Sequence, residues 1–239
     1  MEQNPKLERI GAALADISRK RMLCALMDGR AHTGKELAEV AGVTAATASA
    51  HFAMLRDASF ILSEKRGRST YHRLAGPQIA AALEGLAVLV PHSFAGRLRA
   101  VARHDPGHAE ARCCYDHIAG RLGVALCANL VAQDAVVLQE GIALAGSKPG
   151  VLAALAGVTA LPGSVLGRTC LDWSERREHL SGRLGRAVLA QALMQSWLKR
   201  SPHGRALILT APGRAAFAAI GLPEWVDDPE GQERAAGGP

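Results

Sequence analysis

The stretch VTAATASAHFAMLRDAS, residues 43–59, decides the fold of the first part of the chain. Phe52, Leu55 and Ala58 recur in it at helical spacing, which predicts a helix with one buried face. Thr44 is the predicted N-cap, and further short polar side chains follow it. The major groove of DNA admits one helix, and hydroxyl groups near the start of that helix reach phosphates or base edges. The stretch therefore predicts a DNA recognition helix.

The residues before this helix predict a helix-turn-helix. Two helices are expected upstream, one over residues 5–15 and one that ends at the Asp-Gly pair of residues 28–29. Thr33 and Glu36 have the spacing of a capping box for a further short helix. Gly42 ends that helix, and the short turn behind it joins two helices at a steep angle.

The residues after the recognition helix predict a basic hairpin. Residues 61–62 and 71–74 have the pattern of two strand arms, and the tip at residues 65–69 is basic. Gly67 supplies the turn. A positive hairpin behind a helix-turn-helix is typical of a wing, in which Lys and Arg contact the phosphate backbone.

Residues 14–74 resemble the ArsR family of winged-helix repressors. The resemblance rests on a Ser-x-His element at Ser49 and His51, on Leu-Arg-x-Ala at residues 55–58 and on the basic wing at residues 66–68. It implies a fold with an N-terminal winged helix-turn-helix, a double-stranded DNA partner, and a homodimer joined through the helix after the wing.

Two features depart from that family. Ser59 stands where the family usually has a glycine, so the end of the recognition helix is expected to differ in geometry. Many members sense metals, but the family's metal ligands are absent from the helix before the recognition helix and from the bridging helix. The bridge over residues 77–112 is expected to contain two helices without those metal ligands, over residues 78–90 and 92–104.

The predicted DNA contacts share polar or basic side chains on the recognition helix and the wing. For His51 a buried hydrogen-bonding role is an equal alternative. The full set is Thr44, Thr47, Ser49, His51, Arg56, Lys65, Arg66, Arg68, Thr70 and Tyr71.

The second half of the chain contains an internal repeat. Residues 117–123 return as residues 179–185 at an offset of 62, and a Pro-Gly element at residue 149 returns at residue 212. Each unit reads as a helix, a hairpin and a short helix, with hairpins at residues 136–145 and 197–209. The prediction is a mainly α protein with small β hairpins, whose C-terminal domain holds two winged-helix-like repeats that share one core. This domain resembles a C-terminal extension of some ArsR-like regulators.

The two repeats carry matching Cys, Asp and His residues, and Cys114 and His117 are expected on one helix face. Four interpretations stand: a divalent metal site, a thiol sensor of oxidants, a pocket for an organic ligand, and a purely structural corner. The metal ligands would be Cys114, His117, Cys170 and His179. The wider effector site would comprise Cys114, Tyr115, Asp116, His117, Cys170, Asp172, Trp173 and His179.

Composition favours a cytoplasmic regulator with no certain cofactor. The chain of 239 residues has 28 Lys and Arg against 22 Asp and Glu, a net charge of +6, and five cysteines without the spacing of a disulfide scaffold. No signal segment or membrane span is expected. The predicted division is a DNA-binding domain at residues 1–76, dimerisation helices at 77–112, an effector-sensing domain at 113–222 and a flexible tail at 223–239.

Two alternatives to a sensor remain. The second half would then be a structural or partner-binding module, or the chain would be a thiol enzyme that uses Cys114 or Cys170. The enzyme is disfavoured because no glycine-rich oxyanion loop accompanies either cysteine.

Overall fold

The computed structural model describes residues 5–89, 110–202 and 204–222. The predicted helix at 92–104 and the predicted tail at 223–239 lie outside these ranges. The first part of the described chain is a winged helix-turn-helix, as the sequence predicts. Its helices are α1 (Pro5–Leu14), α2 (Ile17–Leu26), α3 (Gly34–Ala41), α4 (Ala45–Asp57) and α5 (Pro77–Val88). Its strands are β1 (His32–Thr33), β2 (Ile61–Arg66) and β3 (Ser69–Leu74), in the sheet order β1-β3-β2.

The predicted helix boundaries are confirmed by capping hydrogen bonds. Thr33 and Glu36 form the capping box of α3, and Gly42 ends that helix with a φ of 69°. The Thr44 hydroxyl accepts a hydrogen bond from the Thr47 amide at the start of α4. These contacts are local, and they satisfy amides that have no partner within the helix.

The end of α4 corrects one expectation. Ser59 adopts a φ of 60°, the left-handed conformation that a glycine would adopt there. The Phe60 amide then donates to the Leu55 carbonyl. The helix end therefore keeps the geometry of a left-handed cap despite its serine.

The wing is longer than the sequence pattern indicates. Strands β2 and β3 pair without interruption from Ile61↔Leu74 to Arg66↔Ser69, so the basic tip lies on the strands themselves. Main-chain hydrogen bonds do not require apolar side chains, and Gly67 at a φ of 59° permits a two-residue turn.

The C-terminal half contains the two predicted repeats. Helices α6 (Gly120–Ala132) and α8 (Gly182–Met194) correspond at an offset of 62, and the short helices are α7 (Val151–Ala156) and α9 (Ala211–Ala219). The strands are β4 (Arg112–Cys114), β5 (His117–Ala119), β6 (Val136–Gln139), β7 (Ile142–Ala145), β8 (Val165–Leu171), β9 (Glu178–Ser181), β10 (Leu198–Arg200) and β11 (Leu207–Leu209).

The repeats exchange strands. Strand β8 opens the second repeat but pairs with β7 of the first, which makes a four-stranded sheet in the order β6-β7-β8-β9. Reciprocally, the start of β4 in the first repeat pairs with the second hairpin through Arg112 and Ala206. One apolar cluster therefore spans both repeats, including Leu122, Leu130, Leu184 and Phe217.

The structure corrects the placement of Cys114 and His117. They face each other across a hairpin, at the end of β4 and the start of β5, and do not share a helix. The helix begins only at Gly120. Spacing of three is compatible with both arrangements, because a two-residue turn also brings residues i and i+3 together. Among the described helices, none has the length and apolar character that a membrane span needs.

Candidate nucleic-acid interface and Cys-His cluster

The start of α4 exposes a group of hydroxyls. Thr44, Thr47 and Ser49 are exposed, whereas Ala48 and Phe52 are buried against the rest of the winged helix. The Thr44 and Thr47 hydroxyls also lie 2.9 Å apart, within hydrogen-bond distance. These side chains can donate hydrogen bonds to phosphates or base edges.

The wing presents an exposed basic tip close in sequence to α4. Lys65, Arg66, Arg68 and Thr70 are exposed, and Tyr71 is half-buried. The Arg66 guanidinium donates to Glu64 at 2.9 and 3.0 Å. An exposed pair of this kind contributes little to stability, so a phosphate can replace the carboxylate.

His51 does not face outward with the other polar residues of α4. Its Nδ1 lies 3.0 Å from Nη1 of Arg19, and its Nε2 lies 4.0 Å from the Asp16 carboxylate. Arg19 is itself buried and donates to the Ala12 and Ala13 carbonyls. This placement fits the second interpretation of His51, a residue that joins α4 to α2.

Arg73 belongs to the same exposed surface, although the sequence reasoning missed it. It is exposed on β3, two residues beyond Tyr71 and therefore on the same face of the strand. The buried positions of this strand are His72 and Leu74. Side chains alternate between the two faces of a strand, so the predicted strand over residues 71–74 could have placed Arg73 on the face of Tyr71.

The Cys-His cluster lies where two hairpins meet. Cys114 pairs with His117 across β4 and β5, and Cys170 pairs with His179 across β8 and β9. The Nε2 atoms of the two histidines are 3.1 Å apart. The two sulfurs and one nitrogen of each ring all lie within 4.8 Å of one another. This donor set is able to hold a divalent metal ion.

Each histidine ring is backed by a carboxylate. His117 Nδ1 lies 3.1 Å from Asp116, and His179 Nδ1 lies 3.7 Å from Asp172. Two arginines that the sequence reasoning missed hold these carboxylates, since Arg186 donates to Asp116 at 2.9 Å and Arg112 to Asp172 at 2.7 Å. Both contacts join one repeat to the other, and sequence spacing gave no signal for them.

Asp172 is fully buried but stays ionised. Burial raises the pKa of its carboxyl, but the Arg112 charge and hydrogen bonds from Ser174, Gly120 and Glu175 outweigh burial and lower it. Its Oδ2 accepts the Gly120 amide at 2.8 Å, which caps α6 from the other repeat. Asp172 therefore has a structural role as a helix cap, in addition to backing the His179 ring.

The two thiols of the cluster differ in acidity. A hydrogen bond from Cys114 and further hydrogen bonds with His117 and His179 outweigh burial and lower the pKa of Cys170. The hydrogen bond with Cys170 and burial raise the pKa of Cys114. Burial lowers the pKa of His117, but its hydrogen bonds with Asp116 and Cys170 leave it raised overall.

Two helical glycines allow the hairpins to approach. A Cβ on Gly185 would lie 2.5 Å from the Leu180 carbonyl oxygen and 3.0 Å from Cβ of His117. A Cβ on Gly123 would lie 2.4 Å from the Ile118 carbonyl oxygen. The repeated glycine of the two motifs is therefore a packing requirement of the cluster.

The two aromatic residues of the predicted effector site have separate partners. The Arg112 guanidinium lies over the Trp173 ring, 5.0 Å from its centroid. Residues 173–176 are half-buried. Tyr115 packs against the apolar cluster of the winged helix, and its amide donates to the Met27 carbonyl at 2.7 Å.

The β4–β5 hairpin, which carries Cys114 and His117, also packs directly against the winged helix. Cys114 and Ala119 are buried in the same apolar cluster as Met22, Leu26 and Leu55. The Cys-His cluster and the winged helix are therefore parts of one packed structure.

The comparison with known proteins decides the family. Residues 16–62 match the profile described as bacterial regulatory protein, arsR family. A protein of Bacillus subtilis strain 168, named an uncharacterized HTH-type transcriptional regulator, YdfF, is 38% identical over 222 residues, which cover 90% of this chain and 96% of that protein. The chain belongs to the ArsR family.

Two further similarities each cover about a third of the chain. The HTH-type transcriptional regulator CmtR of Mycobacterium tuberculosis is 38% identical over 84 residues, 35% of this chain and 70% of that protein. Among solved structures, HlyU from Vibrio cholerae is 26% identical with a TM-score of 0.33, and covers 36% of this chain and 94% of that one. This ArsR-family chain is a DNA-binding transcriptional regulator, and the names of its relatives indicate the same role.

Proposed function

We propose that the protein is a homodimeric repressor that acts in the cytoplasm and binds operator DNA with α4 and the wing. Residues 1–76 would read DNA, residues 77–112 would join two protomers, and residues 113–222 would sense an effector. The observation that carries the proposal is the exposed set of hydroxyls at the start of α4 beside an exposed basic wing. In this arrangement the wing contacts phosphates while the helix reads base edges.

The proposed dimer is supported by the surface of α5. Leu86 of this helix and Leu89, its C-cap residue, are 47% and 75% exposed, and Leu7 of α1 is 65% exposed. Exposed apolar side chains on neighbouring turns of a helix favour an interaction site. A second protomer would also place a second α4 about 34 Å away, at the next half-site along the DNA.

The proposed sensing role is supported by the position of the Cys-His cluster. Its hairpin is hydrogen-bonded to the end of α2 and shares an apolar cluster with α4. A change at the cluster would therefore shift the balance between DNA-competent and DNA-incompetent forms of the winged helix.

Substitution of the wing arginines tests the DNA-binding surface. The double variant Arg66→Ala, Arg68→Ala is expected to bind every DNA sequence more weakly, because it loses phosphate contacts. The slope of log affinity against log salt should become shallower by about one unit per lost contact. Fluorescence anisotropy with the upstream region of its own gene, over a series of salt concentrations, measures both quantities.

The matched control is Arg183→Ala, an exposed arginine of α8 in the other half of the chain. It should leave affinity and salt slope unchanged. Unchanged DNA binding in the wing variant, or no sequence preference in the native protein, would contradict the proposed function.

A further inference from the structure

We propose that Cys114, His117, Cys170 and His179 bind one thiophilic divalent ion, Zn²⁺ or Cd²⁺, in a tetrahedral site between the two repeats. As an assignment of the effector class this rests on the proposed function. As an assignment of a metal site it stands on the geometry of the cluster alone.

The cluster approaches the dimensions of a tetrahedral site, with its widest pair of donors up to about 1 Å too far apart. With Zn–N bonds of about 2.0–2.1 Å and Zn–S bonds of about 2.3 Å, tetrahedral angles place two nitrogens about 3.3 Å apart and two sulfurs about 3.8 Å apart. The two Nε2 atoms are 3.1 Å apart, and all four donors lie within 4.8 Å of one another. Each hairpin contributes one sulfur and one nitrogen as a cross-strand pair, so the backbone itself holds the donors.

The carboxylates orient both rings toward a shared cation. Asp116 lies within hydrogen-bond distance of Nδ1 of His117, which favours the proton there. Asp172 lies 3.7 Å from Nδ1 of His179, too far for a hydrogen bond, but its negative charge favours the proton on the same atom. Both Nε2 atoms then present lone pairs to each other at 3.1 Å. Such a contact requires either a proton on one Nε2, which makes it a hydrogen bond, or a metal ion between the rings. A metal ion coordinates both nitrogens and the two sulfurs at once, whereas a proton bridges only one pair of atoms.

The charges around the cluster balance for a divalent ion. Two thiolates and two neutral imidazoles compensate a charge of 2+. The nearby carboxylates are already compensated, since Arg186 pairs with Asp116 and Arg112 with Asp172. A buried charge is tolerated only when it is paired, and here each charge has its partner.

The donor atoms select the class of ion. Two sulfurs and two imidazole nitrogens suit Zn²⁺, Cd²⁺ or Co²⁺, whereas Mg²⁺ and Ca²⁺ require oxygen ligands. An ion would join β4–β5 of the first repeat to β8–β9 of the second. It would thereby hold in place the hairpin whose Tyr115 amide donates to Met27 at the end of α2.

The test is a Co²⁺ titration of the reduced, chelator-treated full-length protein without oxygen. We expect one Co²⁺ per chain, with the visible bands of a tetrahedral ion and the near-ultraviolet band of thiolate ligation. Zn²⁺ and Cd²⁺ should both displace it, and their competition curves rank the two ions. An octahedral spectrum, no binding, or binding that is insensitive to the ligand variants would overturn the site.

The variants separate ligands from other thiols. Cys170→Ser and His117→Gln should each weaken Co²⁺ binding by more than the roughly 100-fold upper value for an outer-shell change. Cys24→Ser, which alters an exposed cysteine of α2, should leave affinity and spectrum unchanged. A zinc-induced rise in the melting temperature of the native protein, absent from a folded ligand variant, gives a second readout.

DNA binding by the same samples distinguishes the two proposals. Metal binding with no DNA binding under any condition would retain the metal site and reject the repressor. DNA binding whose affinity does not respond to Zn²⁺ or Cd²⁺ would reject the effector role. Formation of a Cys114–Cys170 disulfide in a protein without metal affinity would replace the metal site with a redox site.

Discussion

At the scale of single residues, Ser59 shows how a tertiary contact overrides a backbone preference. Its φ of 60° is unfavourable for a residue with a Cβ by about 1 kcal/mol or more. The conformation persists because it directs Phe60 and Ile61 into the core of the winged helix, where both are buried.

Ser59→Gly should therefore raise the free energy of unfolding by up to about 1 kcal/mol. Relief of the left-handed strain exceeds the cost of the greater freedom that glycine gives the unfolded chain. Urea denaturation measures the change. Ser18→Gly, in the first turn of α2, is the control and should lower stability by about 0.5–1 kcal/mol. A loss of equal size in both variants would show that Ser59 is not strained.

At the scale of elements, the two repeats complete each other. Helix α6 has no side-chain cap from its own N-cap residue, Ala119, and instead receives the Asp172 carboxylate from the other repeat. Asp172 and Arg112 form a fully buried ion pair. The equivalent Asp116 pairs with Arg186 on the surface, where the arginine side chain is 60% exposed.

Asp172→Asn and Asp116→Asn should therefore differ sharply in stability. The first removes the charge that compensates buried Arg112 and should cost about 3–5 kcal/mol. The second weakens a largely solvated pair and should cost at most about 1 kcal/mol. Denaturation in the presence of a chelator measures this comparison without any metal contribution. Equal costs would mean that the Arg112–Asp172 pair contributes no more than a surface pair.

At the scale of the whole molecule, hydrogen bonds between described residues join the C-terminal repeats to the winged helix. The Tyr115 amide donates to Met27, Arg200 donates to the Asp28 carbonyl at 2.9 Å, and buried Arg205 donates to Glu84 of α5 at 2.9 Å. These contacts couple the repeats to the end of α2 and to α5.

Gly29→Ala should loosen this joint. A Cβ there would lie 2.1 Å from the Tyr115 carbonyl oxygen, so the hairpin must shift. We expect a loss of about 2–4 kcal/mol of stability, from backbone strain and overpacking together, and faster hydrogen exchange at the Tyr115 amide. Gly163 has a similar φ of 79°, but a Cβ there would meet nothing within 4 Å. Gly163→Ala should therefore lose only the stability that backbone strain costs. If both variants lose the same stability and the Tyr115 amide stays protected, the joint does not depend on this close approach.

Much of the fold was predictable because its signals are local. The caps at Thr33 and Thr44, the turn at Gly42 and the basic wing each depend on residues a few positions apart. The repeat was also visible, because a fixed offset of 62 needs no knowledge of the structure. These features were sufficient for the winged helix, the family resemblance and the pairing of the Cys-Asp-His motifs.

Contacts between distant residues required the tertiary structure. Spacing could not tell a helix face from a hairpin for Cys114 and His117, since both place the side chains together. The Arg112–Asp172 pair and the contact between His117 and His179 join residues about 60 positions apart. The exchange of β4 and β8 also joins one repeat to the other, through Arg112 with Ala206 and Ile142 with Arg168. Such contacts depend on how two repeats pack, which no local pattern records. Local chemistry thus predicted the candidate site residues of this protein, and packing decided that four of them meet at one point.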